Sequence, residues 1–165
     1  MESYRASLLE SNGINTRFVQ DNQSLSAKGI LRGMHFQAPP YAQAKLVRVV
    51  SGAVLDVVVD IRKGSPWYGH FVAVELNDEN MHQLYIPEGF AHGFLTLAEN
   101  TLFQYKCSDY YNKESEGGIA WNDPEVGIDW GITDPVLSEK DKDNVQLKDF
   151  ESPFVYSKTT SESHH

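Results

Sequence analysis

Between residues 29 and 108 the apolar positions fall in short runs, each stopped by glycine, proline, asparagine or serine. That rhythm predicts strands. Residues 29–36 alternate, which puts Ile30, Arg32, Met34 and Phe36 on one face and Leu31, Gly33 and His35 on the other. Residues 44–50 and the β-branched run 53–61 flank Ser51-Gly52 and read as a hairpin. Further strands are predicted at 71–76, 83–87, 93–97 and 101–108, with a short one at 17–20. Residues 4–12 allow a short helix stopped at Asn12-Gly13, and from Pro124 on the pattern gives turns and a little helix. Short strands with turn residues between them predict an all-β sandwich or small barrel with short helices at its ends. There is no internal repeat.

The length of 165 residues predicts one domain, placed at 1–150, with 151–165 as a tail. His164 and His165 have the look of an affinity-tag remnant and are left out of site reasoning. A net charge of -9 argues against nucleic acid as a partner, since binding there rests on neutralising phosphates. A small anionic substrate needs only a local group of cations. The single cysteine, Cys107, permits no intramolecular disulfide, which fits a reducing compartment. With no run of 18 apolar residues and no leader pattern, a soluble cytoplasmic protein with no membrane partner is expected.

The chemistry concentrates in Leu31-Arg32-Gly33-Met34-His35-Phe36-Gln37, in Lys45, and in Pro87-Glu88-Gly89-Phe90-Ala91-His92-Gly93-Phe94. A neutral imidazole accepts a proton near neutral pH, which makes His35 the candidate base. Antiparallel pairing of its strand with the next would bring Arg32, His35 and Lys45 to one mouth, a cationic group able to hold a phosphate or an enolate oxygen. Pro87-x-Gly89-x-x-His92-x-Phe94 has the spacing of the second signature of cupin barrels. The first cupin signature is incomplete, because Gly33 and Gln37 flank His35 where metal-binding cupins carry further ligands. Two imidazoles alone make a poor zinc or iron site, and no metal is expected. His70 and His82 fall near turns and read as surface residues. Tyr105 is either a core aromatic or an acid, since a phenol stays protonated until an enolate forms. Asp141, in Ser138-Glu139-Lys140-Asp141, is either a solvated charge or the carboxylate that orients His35.

In combination these blocks, with Phe18-Val19-Gln20-Asp21-Asn22, Asp56-Val57-Val58-Val59-Asp60-Ile61-Arg62, Ser115-Glu116-Gly117 and Trp121-Asn122-Asp123-Pro124, resemble the dTDP-4-dehydrorhamnose 3,5-epimerase family from about Glu2 to Asp143. The resemblance implies a cupin, or jelly-roll, barrel that acts as a homodimer on a dTDP-sugar with no metal or cofactor. It implies His35 as base, Tyr105 as acid on the opposite face and Asp141 as the partner of His35. It further implies substrate contacts from Arg32, Lys45 and His92, nucleotide contacts from Glu2, Gln20, Asn22, Glu116 and Lys140, and stacking of Tyr111 on thymine. The family carries some two dozen residues before the position of Glu2, including a strand that crosses the dimer. Without them, weaker nucleotide affinity or impaired dimerisation is expected. Three other readings stay open: an epimerase acting at C3 or C5 alone, a metal-dependent cupin enzyme, and a nucleotide-sugar binder without catalysis.

Overall fold

A computed structural model describes residues 1–157, so His164 and His165 lie outside the described residues. A short helix, α1 (Ala6–Ser11), precedes nine strands: β1 (Gln20–Ser26), β2 (Leu31–Gln37), β3 (Lys45–Ser51), β4 (Ala53–Asp60), β5 (Phe71–Asn77), β6 (Gln83–Ile86), β7 (Phe90–Thr96), β8 (Thr101–Cys107) and β9 (Glu116–Gly118). A second short helix, α2 (Glu139–Lys142), follows. The strands form two antiparallel sheets, ordered β1-β8-β3-β6 and β5-β4-β7-β2-β9. The expected jelly-roll class is thus met.

The short strand expected at 17–20 is displaced to β1, Gln20–Ser26. Two further local readings are corrected. The stretch around Ser51-Gly52 is a corner and not a hairpin: β3 pairs with β6 and β8, whereas β4 pairs with β5 and β7 in the other sheet. Gly52 takes φ +99°, and a side chain there would strike Thr101, so the chain turns sharply between sheets. Second, β2 does not alternate throughout. Arg32 pairs with Phe94 and His35 with His92, so three residues of β2 span two of β7. This bulge turns Arg32 and His35 to the same side and sends Met34 to the other. The bulge requires glycine on both strands. A Cβ on Gly33, at φ +149°, would lie 2.7 Å from the Gly93 Cα.

The five-stranded sheet is covered on both faces. Its outer face carries Leu31, Met34, Val57, Val59, Ala91 and Leu95, which pack under Ile119, Val126, Trp130, Leu147 and Phe154. The C-terminal third of the chain is therefore a lid on this sheet, and it reaches Phe154, inside the stretch expected to be a tail. Its inner face meets the four-stranded sheet through Val54, Phe94, Val47, Val49, Ile86 and Phe103. This second core closes one end of the barrel and leaves a cavity above it. The N-terminal segment crosses the outside of the four-stranded sheet, with Tyr4 edge-on to Phe18, Gln83 donating to Ser3 O at 2.8 Å and Thr16 bonded to the Tyr85 hydroxyl.

Candidate active site

Period-two alternation places the site. On the four-stranded sheet, Asn22, Tyr105 and Val47 lie in one cross-strand row, and Cys107 and Lys45 in the next. Residues in such rows share a face. On the facing sheet, Asp56, Phe94 and Arg32 form one row, and Val58, His92 and His35 another. The two faces enclose a cavity of about 320 Å³ lined by Arg32, His35, Lys45, His92, Tyr105 and Phe94, together with Asn22, Ser24, Glu116 and Lys140. Lys45 does not sit on a strand beside His35. It faces His35 from the opposite sheet, as does Tyr105.

The two histidines are held in the same manner. Asp141 Oδ1 lies 2.5 Å from His35 Nε2, and Asp141 Oδ2 accepts from Gly33 N at 3.2 Å. Asp141 arrives there because Ser138 caps α2, its Oγ accepting from the Asp141 amide at 3.2 Å. Burial pushes the Asp141 carboxyl upward, but the bonds from His35 and Gly33 outweigh burial and hold it below the ordinary carboxylate value. An ionised Asp141 accepts the hydrogen bond from His35 Nε2–H, which leaves Nδ1 as the nitrogen free to accept a proton. His92 is more deeply set: its Nε2 lies 2.7 Å from Asp56 Oδ1, and its ring stacks on Phe103 at 6.2 Å.

Two further groups have shifted proton affinities. Burial pushes the Lys45 ammonium below its ordinary value, against the opposing pull of Cys107, Asp56 and Glu116. Its Nζ lies 5.6 Å from the centre of the Tyr105 ring. Burial, and then Cys107, push the Tyr105 phenol up to about 12, with Arg32 acting the other way. That phenol stays protonated at any physiological pH and is available only as a donor.

Of the sequence-predicted residues, Asn22, Arg32, His35, Lys45, His92, Tyr105, Glu116 and Lys140 line this one cavity, and Asp141 backs it. Lys140 and Glu116 are ion-paired with each other. Gln20 and Tyr111 do not line it; they sit at the rim, where Gln20 Oε1 accepts from Tyr111 N at 3.1 Å. Glu2 lies apart, exposed and paired with Arg5 at 2.8 Å. His70 and His82 are exposed, as expected. Sequence reading missed Asp56 and Ser24. Asp56 hides in the run Leu55-Asp56-Val57, where only its polarity inside an apolar strand marks it. Among the described residues no group of three or more His, Cys, Asp or Glu is placed to hold a metal ion.

An imidazole backed by a carboxylate, a phenol on the opposite wall and a buried ammonium beside it are the parts an acid–base isomerase needs, set in a jelly-roll barrel. The sequence comparisons give the same answer more narrowly. A family profile described as dTDP-4-dehydrorhamnose 3,5-epimerase matches residues 1–149. The dTDP-4-dehydrorhamnose 3,5-epimerase of Salmonella typhimurium is 54% identical over 142 residues, 85% of this chain and 78% of that protein. A crystal structure of the dTDP-6-deoxy-D-glucose-3,5-epimerase of Legionella pneumophila, in complex with dTDP-4-keto-L-rhamnose, is 48% identical with a TM-score of 0.90, covering 94% of this chain and 85% of that one. A 3′-monoepimerase of Streptomyces bikiniensis, in complex with dTDP-quinovose, is 35% identical with a TM-score of 0.83, covering 89% of this chain and 75% of that one. The chain belongs to the dTDP-4-dehydrorhamnose 3,5-epimerase family.

Proposed function

We propose that this protein inverts C3 and C5 of dTDP-4-dehydro-6-deoxy-D-glucose, giving dTDP-4-dehydro-L-rhamnose, through enolates and without a cofactor. The observation that carries the reading is the placement of His35 and Tyr105 on opposite walls of one cavity. The C4 ketone acidifies the hydrogens on both neighbouring carbons. His35 Nδ1 takes the proton, and Asp141 stabilises the imidazolium that results. Lys45, with Arg32 and His92, holds the charge that develops on O4; such a donor in a water-poor site is typically worth about 3 to 4 kcal/mol. Tyr105 then delivers a proton from the other face, and the centre is inverted. After each inversion His35 gives its proton to water and Tyr105 regains one from water, so that a shift of the ring between the two carbons lets one base and one acid serve both.

The nucleotide lies across the edge of the cavity, where Gln20, Asn22, Glu116 and Lys140 meet it and Tyr111 stacks on the thymine. The exposed Lys140–Glu116 pair is of the weak kind, roughly 0 to 1 kcal/mol, that a diphosphate can open. The protein works as a homodimer in the cytoplasm, with Glu2 serving the partner's nucleotide site; the distance of Glu2 from its own cavity supports that assignment. Among the described residues no helix is long and apolar enough to cross a membrane.

A second reading, inversion at one carbon only, is favoured by the likeness to the 3′-monoepimerase. NMR of the keto-sugar nucleotide with enzyme in deuterated water decides between them. Deuterium at both carbons of an L-configured product supports the first reading; inversion and label at one carbon support the second.

A further inference from the structure

We infer that Gln20, Gln37 and Gln43 form a clamp on the loop 109–112, and that Gln37 and Gln43, which lie outside the cavity, are positioning residues for the nucleotide end of the site. The loop carries the chain from β8 in one sheet toward β9 in the other. Each of its four residues has a backbone group held by a glutamine side chain. Gln43 Nε2 donates to Asp109 O at 2.8 Å. Gln37 Nε2 donates to Tyr110 O at 3.2 Å, and Gln37 Oε1 accepts from Asn112 N at 2.9 Å. Gln20 Oε1 accepts from Tyr111 N at 3.1 Å. The three glutamines come from three different places: the start of β1, the end of β2 and the segment before β3.

Gln37 is the centre of this arrangement. It is 5% exposed, and its Nε2 also donates to Tyr41 O at 2.7 Å, which ties a second loop to the first. A buried amide with three bonds in place is costly to disturb. The order continues beyond the loop: Asn112 Oδ1 accepts from Ser115 N at 3.0 Å, and the next residue is Glu116, partner of Lys140. Against this fixed backbone, Tyr110 and Tyr111 are 63% and 55% exposed as whole residues. A clamped main chain with a presented ring is a preformed stacking platform, which spares the ordering cost of binding. This step rests on the reading that Tyr111 meets the base.

The test is Gln37→Glu, which keeps the oxygen that accepts from Asn112 and replaces the donor with an acceptor facing two carbonyl oxygens. Affinity for thymidine diphosphate, measured by calorimetry, is expected to fall about tenfold, with KM rising in step and kcat within about twofold of wild type. Gln43→Leu, which removes one bond from a half-buried site, is expected to cost about threefold in the same measurement and serves where Gln37→Glu does not fold. Folded variants that bind thymidine diphosphate as wild type does, or that lose kcat with KM unchanged, overturn the clamp. Tyr111→Ala separates the two ideas: unchanged affinity there overturns base stacking alone and leaves the clamp to be decided by the glutamine variants.

Discussion

Two histidines face each other across one pair of strands, and each leans on a buried aspartate, but the supports differ. The partner of His35 comes from 106 residues along the chain, on α2, and both oxygens of Asp141 are in use. The partner of His92 sits on the neighbouring strand, and Asp56 Oδ2 has no hydrogen-bond partner among the described residues. The His35 side chain is 27% exposed, that of His92 only 7%. An imidazole with an open side and a fully engaged carboxylate suits repeated gain and loss of a proton. One packed flat on Phe103, with an underused carboxylate close to Lys45, suits a fixed contact in a cationic pocket.

That contrast is broken most severely by His35→Ala. Turnover is expected to fall about 1000-fold or more, the range a positioned general base supplies, with little change in thymidine diphosphate affinity. Lys45→Ala is expected to lower kcat about 100- to 1000-fold while KM changes little, because the ammonium acts mainly on charge that appears in the transition state. The same lysine sets the alkaline limit. Its affinity for a proton is reduced by burial, so its charge is lost as pH rises through a value below 10.5, whereas Tyr105 holds its proton to about 12. The pH–rate profile should therefore fall on the alkaline side below 10.5, and in Tyr105→Phe the same limb should appear in the rate of deuterium exchange into the sugar. Asp141→Asn and Asp56→Asn sharpen the comparison further. The first is expected to cost about 100-fold in kcat, because it reverses the hydrogen bond that fixes the ring. The second is expected to cost about tenfold, the low end for one hydrogen bond to a charged group. Equal losses in the two variants would erase the distinction between the pairs.

The sequence carried β2 to β8 well, because each is short, β-branched or alternating, and bounded by a turn residue, whereas β1, Gln20–Ser26, is a polar run that bears neither mark. It carried topology poorly at two points. Ser51-Gly52 has the look of a hairpin turn, yet whether the flanking runs pair with each other depends on partners about 30 to 60 residues away, and those partners take them into separate sheets. The β2 bulge is likewise invisible to a period-two reading, although Gly33 opposite Gly93 is the physical mark of it. The recognisable blocks named residues that the fold gathers at one cavity, and the resemblance set Asp141 beside His35 and Tyr105 across from it; strand order read from the residues alone misplaced Lys45. Lys45 reached the cavity from the opposite wall, and Asp141 reached His35 through the Ser138 cap. Asp56 and Gln37 stand inside the quoted blocks without a role read for them, and Gln43 lies outside every block; their places follow from burial and from backbone groups that sequence does not bring together.

The central claim is that a base and an acid work from opposite walls, and Tyr105→Phe in deuterated water tests it most directly. With His35 intact and the donor on the far wall removed, NMR should show deuterium entering the sugar with the starting configuration kept. Inversion at the wild-type rate in that variant would contradict the account, because the proton would then reach the far face without the phenol.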